Sequence, residues 1–259
     1  MGKDRRCQGN TIRAQRPGGS TWTRQVAALA VAIGSLGAVP AQAATLGEGE
    51  LSAEVTAEVT PDRLPMRGYA PAALTVRGTV SSAEVGPLTE VKLRLDPRLR
   101  LAANTRGLAT CAFAQVRSIA PAQARKRCGK ALIGSGSVDL ELAVEDIRGS
   151  TRQQVLLFNT RAAGRVLMYL YQPEALFIPV AAAIVSTGRI SQHSLTLPIR
   201  SGGGATTAFR LRIGRTWRDR GQQRSYLVGR CAGRFANRLT LRLGRTTLAG
   251  TLTDPCRGR

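Results

Sequence analysis

The stretch LSAEVTAEVT, residues 51–60, alternates strictly between apolar and polar side chains. Its leucine, alanines and valines share one side of an extended chain, and its serine, threonines and glutamates share the other. Because successive side chains of a β-strand point to opposite faces, a period of two predicts a strand with one face in a core and one in solvent.

The same alternation recurs along most of the chain after residue 51. It is present in residues 74–80, 88–95, 138–144, 155–158, 166–171, 177–185, 194–197, 209–213, 226–228, 239–243 and 246–253. Gly, Pro and Asp separate these segments, as is typical of turns. About ten or more short strands at regular spacing indicate a sandwich. We therefore predict an all-β fold, an antiparallel β-sandwich, as a single domain over residues 44–259.

One segment has helical character. Residues 120–127 begin with Ala-Pro, continue with good helix formers, end with three cations and are followed by Gly129, all of which are favourable helix-end signals. We predict a short helix here, lying between Cys111 and Cys128.

The first 43 residues have the composition of a leader. Six Lys or Arg and one Asp occupy residues 1–25, and an uncharged, mostly apolar run follows at 26–39. Ala41-Gln42-Ala43 then has the small-x-small form of a signal-peptidase site. We predict a signal peptide at residues 1–43 and a secreted or extracytoplasmic location in the cell envelope. The alternative is an uncleaved anchor, which needs about 20 apolar residues.

Cleavage after Ala43 would remove Cys7 and leave an even number of cysteines. In an oxidising compartment, four cysteines predict two disulfides. Three pairings are possible, and locality favours Cys111 with Cys128 and Cys231 with Cys256. A four-thiolate zinc site is the alternative, but the sequence lacks the close C-x(2–4)-C pairs that structural zinc sites use.

The segments around these cysteines carry a resemblance. GLATC at 107–111 and CGKALIGSG at 128–136, together with RSYL at 224–227, Cys231 and LTDPC at 252–256, resemble a recurrent pattern in secreted proteins of GC-rich bacteria. The resemblance implies a β-rich exported domain with paired cysteines, and it implies no known activity.

The charge balance is strongly basic, with 38 Lys and Arg against 16 Asp and Glu and a net charge of +22. Nearly all the cations are arginine, which a GC-rich coding sequence produces without selection for binding. The distribution is more informative than the total. Residues 200–259 contain 14 arginines and two aspartates, a net charge of +12, whereas codon bias alone would spread arginine evenly.

Alternation places several of these arginines on outward faces. Arg210 and Arg212 face away from the apolar residues of one segment, and Arg238 and Arg242 do so in another. If the two strands are neighbours in one sheet, their arginines form a cationic face. We therefore predict an anion-binding patch composed of Arg210, Arg212, Arg215, Trp217, Arg218, Arg238 and Arg242.

A guanidinium cluster with an aromatic side chain suits polymers that carry phosphate or carboxylate. The expected partners are anionic envelope polymers, such as teichoic or uronic acids, or anionic lipid head groups. We do not expect nucleic acid, because few aromatic residues are available for base stacking. A solvated arginine-rich sheet without a ligand is the alternative.

The sequence offers little for catalysis. Its one histidine, His193, lies beside a short strand, and no G-x-S-x-G elbow is present. We predict a turn or surface histidine, and we predict no catalytic, cofactor-binding or metal-binding residues.

Carboxylates that share a strand face supply the alternative function. Glu54 with Glu58, or Asp139 with Glu141, would form the acid pair of an extracytoplasmic glycan hydrolase. The acidic residues at 139, 141, 145 and 146 lack the close, glycine-turned spacing of a calcium loop. The prediction is therefore an exported, non-enzymatic β-sandwich that associates with anionic envelope polymers through an Arg-rich C-terminal sheet, with its oligomeric state left open.

Overall fold

A computed structural model describes residues 42–47, 51–81, 86–102, 105–144, 147–174, 181–200 and 203–259. These residues fall within one compact unit. The predicted signal peptide lies outside the described residues up to position 41, and so does Cys7. The same holds for residues 177–180 of one predicted strand.

The described chain is built almost entirely of β-strands, which confirms the all-β prediction. The strands are β1 (Ala44–Leu46), β2 (Ser52–Thr60), β3 (Arg63–Leu64), β4 (Ala70–Ser81), β5 (Leu88–Arg94), β6 (Leu99–Leu101), β7 (Leu132–Val144), β8 (Ile147–Asn159), β9 (Arg165–Gln172), β10 (Ala182–Ser191), β11 (Ser194–Pro198), β12 (Ala205–Ile213), β13 (Thr216–Asp219), β14 (Gln222–Ser225), β15 (Leu227–Gly229), β16 (Arg234–Leu243), β17 (Thr246–Pro255) and β18 (Arg257–Gly258).

Fourteen of the strands form one antiparallel sheet. Its main order is β1-β2-β4-β12-β7-β8-β9-β10-β11-β5-β16-β17, and β15 joins β4 to β6. The last strand, β17, lies against β1 and β2, so the sheet folds back on itself and nearly closes. The two layers of the predicted sandwich are therefore parts of one continuous sheet. Two small pairs, β13 with β14 and β18 with β3, complete the strand structure.

The alternating residues fill the space between the layers. Residues 51–60 alternate as predicted, since Val55 and Ala57 are fully buried and Glu54 and Glu58 are exposed. Val55 and Ala57 pack with leucines and valines of the facing strands in one core. The enclosed cavity there measures only about 20 Å³, which is room for one water molecule. This cavity of the core therefore has no space for an organic ligand.

The predicted helix is present as α2 (Pro121–Cys128), preceded by a shorter helix, α1 (Phe113–Val116), which the sequence analysis did not predict. A disulfide joins Cys111 to Cys128, as predicted, with 5.5 Å between their Cα atoms. Both helices cover the outer side of β8 and β9, where Phe158 and Tyr169 form a second apolar cluster. No helix in the described residues is long and apolar enough to cross a membrane.

The second predicted disulfide, Cys231 with Cys256, is also confirmed, with a Cα separation of 5.7 Å. It joins the residues just before β16 to the residue just after β17 and so closes the base of that hairpin.

Several strands are longer than predicted; β8 begins at Ile147 rather than 155 and β16 at Arg234 rather than 239. The clearest physical reason is seen in β7. β7 begins at Leu132, whereas the alternation predicted its start at Val138. The intervening glycines weakened the strand signal, but they have a packing role. A Cβ atom at Gly136 would collide with the carbonyl oxygen of Arg210 on β12, so glycine allows the two backbones to approach.

Candidate functional site

The two strands that carry the predicted patch are not neighbours. Six strands separate β12 from β16 along the sheet, so the expectation of a single face containing Arg210, Arg212, Arg238 and Arg242 is wrong. The reason is that β16 pairs with β5, where the inward leucines of the two strands lie in register, as Leu239 does with Leu93. Sequence proximity in the last quarter of the chain does not make its strands adjacent.

The pairing of β16 with β5 nevertheless creates a cluster of positive charge. Arg238 lies directly opposite Arg94, and the next outward pair is Thr240 with Lys92. On the far side of β5, Lys92 lies opposite Thr196 of β11, which in turn lies opposite Arg189 of β10. We use the name cationic face for the outward cations where β10, β11, β5 and β16 lie side by side; they are Lys92, Arg94, Arg189, Arg238 and Arg242, and Arg234 of β16 lies outside the stretch that pairs with β5.

All five cations of the cationic face are exposed. None of them has a carboxylate oxygen within 4.0 Å among the described residues. The acidic residue in register with this face is Glu90, which lies opposite Arg242. Serines and threonines occupy the positions between the cations. Like charges directly across a ladder destabilise a sheet, so the pairing of Arg94 with Arg238 is unfavourable for the free protein and favourable for binding an anion.

Arg210 and Arg212 lie on a different part of the outer surface, which we call the mixed face because it carries both charges. Arg210 lies opposite Arg77 of β4, but Arg77 bonds Glu58 of β2 at 2.9 Å. The mixed face spans the outer sides of β2, β4, β12, β7 and β8 and carries Arg77, Arg152, Arg210, Arg212, Glu54, Glu58 and Asp139. Its charges nearly balance.

The ion pair between Arg152 and Asp139 shows how the mixed face neutralises its cations. The guanidinium donates two hydrogen bonds to the carboxylate, at 2.6 and 2.9 Å. This hydrogen bonding raises the pKa of Arg152. Bidentate geometry of this kind occupies the donors that an external anion would need.

The remaining members of the predicted patch, Arg215, Trp217 and Arg218, belong to neither face. Trp217 and Arg218 lie on the separate β13–β14 hairpin, which turns at Arg220 and Gly221, both in the left-handed region. The indole Nε1 of Trp217 donates to the carbonyl oxygen of Arg106 at 3.0 Å. Trp217 therefore fixes the hairpin to the chain around residue 106.

The candidate acid pairs of the hydrolase alternative occupy the open outer surface. Glu58 is bonded to Arg77, and Glu141 lies 3.5 Å from Arg148. Glu54 and Asp139 line one surface groove, but three strand spacings separate them in register, about 14 Å. That distance exceeds the range of about 6.5–9.5 Å for an inverting pair.

His193 occupies the turn between β10 and β11, as predicted, and its Nδ1 lies 2.9 Å from the carbonyl oxygen of Leu99. The acidic positions 145 and 146 lie outside the described residues. Within the described residues, no group of three or more His, Cys, Asp or Glu side chains is placed to hold a metal ion.

Two buried aspartates, Asp96 and Asp254, lie next to the start of β16, and their surroundings differ. Asp96 accepts hydrogen bonds from the Arg98 guanidinium at 2.7 Å and from the Ala236 N–H at 2.9 Å. Burial alone would raise the pKa of the Asp96 carboxyl, but these hydrogen bonds outweigh it and hold the pKa below its usual value.

Asp254, in register with Phe235 on β16, has no cation beside it among the described residues. Its carboxylate accepts one hydrogen bond from the Val59 N–H at 2.7 Å. Burial raises the pKa of Asp254 to about 6, and the charges of Glu58 and Asp62 act in the same direction.

Lys92, Arg94 and Arg189 are members of the cationic face that the predicted patch omitted. The alternation of residues 88–95 already placed Lys92 and Arg94 outward. The sequence did not show which strands pair with this strand, β5.

No protein-family model, curated protein or solved structure matches this chain.

Proposed function

We propose that this protein is an exported, non-enzymatic domain that attaches to linear anionic polymers of the cell envelope through its cationic face. The observation that carries the proposal is the direct opposition of Arg94 and Arg238, exposed and without carboxylate partners among the described residues. An arrangement that is unfavourable in the free protein becomes favourable when an anion lies between the two guanidinium groups.

The shape and spacing of the cationic face favour an extended ligand. Outward neighbours along one strand, such as Lys92 and Arg94, are about 7 Å apart, and neighbouring strands are about 4.8 Å apart. A chain with phosphate or carboxylate groups repeating at such intervals would meet several cations at once. The cationic face is the outer side of a sheet, and a polymer lying across it gains affinity from many weak contacts.

The predicted leader and the disulfides support an extracytoplasmic site of action. Two disulfides, one of them closing the hairpin that contains Arg238 and Arg242, are typical of proteins from oxidising compartments. β1 starts at Ala44, immediately after the predicted cleavage site, so removal of residues 1–43 would leave every described strand intact.

Binding has better support than the hydrolase alternative. A glycan hydrolase needs two carboxylates converging on a substrate cleft. The candidate carboxylates here either pair with arginines or lie too far apart.

Co-sedimentation of the secreted, processed protein with purified cell walls would test the proposal. We expect retention at about 50 mM salt and release by about 0.5 M, because the Debye length falls from about 14 Å to about 4 Å over this range. The double variant Arg94→Ser/Arg238→Ser should bind at least about tenfold more weakly, a loss of about 1.4 kcal/mol.

The matched control is Arg210→Ser/Arg212→Ser, which removes the same charge from the mixed face and should bind within about twofold of the parent protein. Absence of retention at low salt, retention that ignores salt, or equal losses in both variants would contradict the proposal. Binding to vesicles of anionic lipid with the same arginine dependence, without binding to walls, would replace the polymer by lipid head groups.

A further inference from the structure

A second arrangement of arginines lies at the junction of β4, β6 and β15. Tyr69 immediately precedes β4, Arg100 is the central residue of β6, and Arg230 immediately follows β15. β15 pairs with both other strands, with Gly229 in register with Ala70 on one side and Leu99 on the other. The sheet therefore brings three residues that are distant in sequence to one place.

Two guanidinium groups lie against one phenol ring at this junction. The guanidinium carbons of Arg100 and Arg230 are 4.3 and 5.7 Å from the ring centroid of Tyr69. The two positive charges are consequently at most about 10 Å apart. Neither has a carboxylate oxygen within 4.0 Å among the described residues. One aromatic face can stabilise a cation, but a second cation adds repulsion that a bound anion would relieve.

Two buried donors at the same junction lack acceptors in the described structure. They are the hydroxyl of Tyr69 and the Nε of Arg100. Buried donors are normally satisfied, and both groups need an acceptor, which a phosphate oxygen would supply.

Arg98, two residues away on the chain, shows that the fold can satisfy an arginine in this region. Its guanidinium donates to both carboxylate oxygens of Asp96 and to the carbonyl oxygens of Ala232 and Arg234. The Nε of Arg100, in contrast, has no acceptor among the described residues.

We propose that Tyr69, Arg100 and Arg230 form a binding site for a single phosphate group, separate from the cationic face. The phosphate would bridge the two guanidinium groups and accept hydrogen bonds from Arg100 Nε and the Tyr69 hydroxyl. Arg230 is exposed whereas Tyr69 and Arg100 are half-buried, so an ion would approach the site from the Arg230 side. Two positive charges match the charge of a phosphate or phosphate monoester at neutral pH.

Titration of the processed, ¹⁵N-labelled protein with inorganic phosphate at constant ionic strength tests this proposal. The arginine Nε–H resonances are observed by NMR, and that of Arg100 is assigned by its absence in Arg100→Lys. We expect a saturable shift of the Arg100 resonance at millimolar phosphate, and no such shift when chloride replaces phosphate.

Substitutions then identify the site. Arg230→Gln, at an exposed position, should weaken phosphate binding at least about tenfold, and Tyr69→Phe, which keeps the ring, should weaken it several-fold. Arg94→Gln is the control from the cationic face and should leave the phosphate affinity unchanged. A non-saturable shift, an equal response to chloride, or an unchanged affinity in Arg230→Gln would overturn the proposal. Because Arg94→Gln should weaken wall binding and Arg230→Gln should weaken phosphate binding, failure of one proposal is distinguishable from failure of the other.

Discussion

The mixed face and the cationic face share the same sequence pattern of alternating arginines, but they differ in net charge. In both β12 and β16, arginines alternate with buried apolar residues, and in both an arginine lies directly opposite another arginine. On the mixed face, carboxylates of β2 and β7 bond the arginines of neighbouring strands. On the cationic face, the neighbouring strands contribute Lys92, Arg94 and threonines. Arg210 and Arg212 themselves have no carboxylate oxygen within 4.0 Å among the described residues, so the difference lies in the net charge that the neighbouring strands give to each face.

The ion pairs near the two faces also differ in burial, and substitutions in these pairs should have the largest effect on stability. The start of β16 depends on the buried Asp96, whose counterion is Arg98. Arg98→Met would leave a buried carboxylate without its cation, and we expect unfolding to become easier by about 3–5 kcal/mol. Urea denaturation at pH 7 measures this loss.

The matched substitution on the mixed face is Arg152→Met, which removes the partner of Asp139. That pair is exposed, and exposed ion pairs contribute little to stability. We expect the variant to unfold close to the parent protein. Equal losses in the two variants would show that Asp96 and Asp139 are held in similar environments, against the structure.

The second largest effect concerns the hairpin of the cationic face. The disulfide between Cys231 and Cys256 closes a segment that contains all of β16 and β17. The variant Cys231→Ser/Cys256→Ser should lose about 3 kcal/mol on the chain-entropy estimate. It should also release from cell walls at a lower temperature than the parent, because β16 carries two of the five cations.

Cys111→Ser/Cys128→Ser serves as the comparison, since that disulfide lies beside the helices over β8 and β9. We expect a comparable loss of stability, with wall binding unchanged at temperatures where the variant remains folded. Loss of wall binding in the folded Cys111→Ser/Cys128→Ser protein would place the polymer site elsewhere.

The strands and the disulfides were predictable because their signals are local. Alternation over residues 51–60 determines which side of β2 faces the core, and this does not depend on which strands pair with β2. The pairing of Cys231 with Cys256 followed from short separations with turns between them. Strand partnership is not local, because β5 ends at Arg94 and the strand that pairs with it, β16, begins only at Arg234. The cationic face could be predicted only as far as the outward direction of each arginine.

Asp254 lies near the end of β17, in register with Phe235 at the start of β16, and the charge of Glu58 on the mixed face acts on it. Its pKa in the folded protein is raised to about 6 from an ordinary value of 3.8. Between these values the folded state holds a proton that the unfolded state releases, so stability falls as pH rises from about 4 to about 6 and then levels. The expected loss is about 1–2 kcal/mol, below the limit of about 3 set by the shift.

Asp254→Asn removes this dependence while keeping an oxygen that accepts from the Val59 N–H. We expect it to be more stable than the parent by about 1–2 kcal/mol at pH 7.5 and nearly equal to it at pH 4. Thermal denaturation at pH 4, 5, 6 and 7.5 follows the difference. A parent protein whose stability rises over this interval would show that Asp254 has a cationic partner after all, as Asp96 has.

The smallest expected effect tests the repulsion that distinguishes the two faces. Replacing Arg238 by threonine, a good strand former, removes the like charge opposite Arg94 and should stabilise the free protein by about 0.5 kcal/mol at low salt. Arg210→Thr removes a charge opposite Arg77, which Glu58 already neutralises, so its stabilisation should be smaller. The gain at Arg238 should shrink at about 0.5 M salt, where the Debye length is only a few ångströms. Urea denaturation of both variants at low and high salt compares them. If Arg238→Thr destabilises the protein at low salt, Arg94 and Arg238 do not repel each other, and the cationic face loses the observation that points to an anionic ligand.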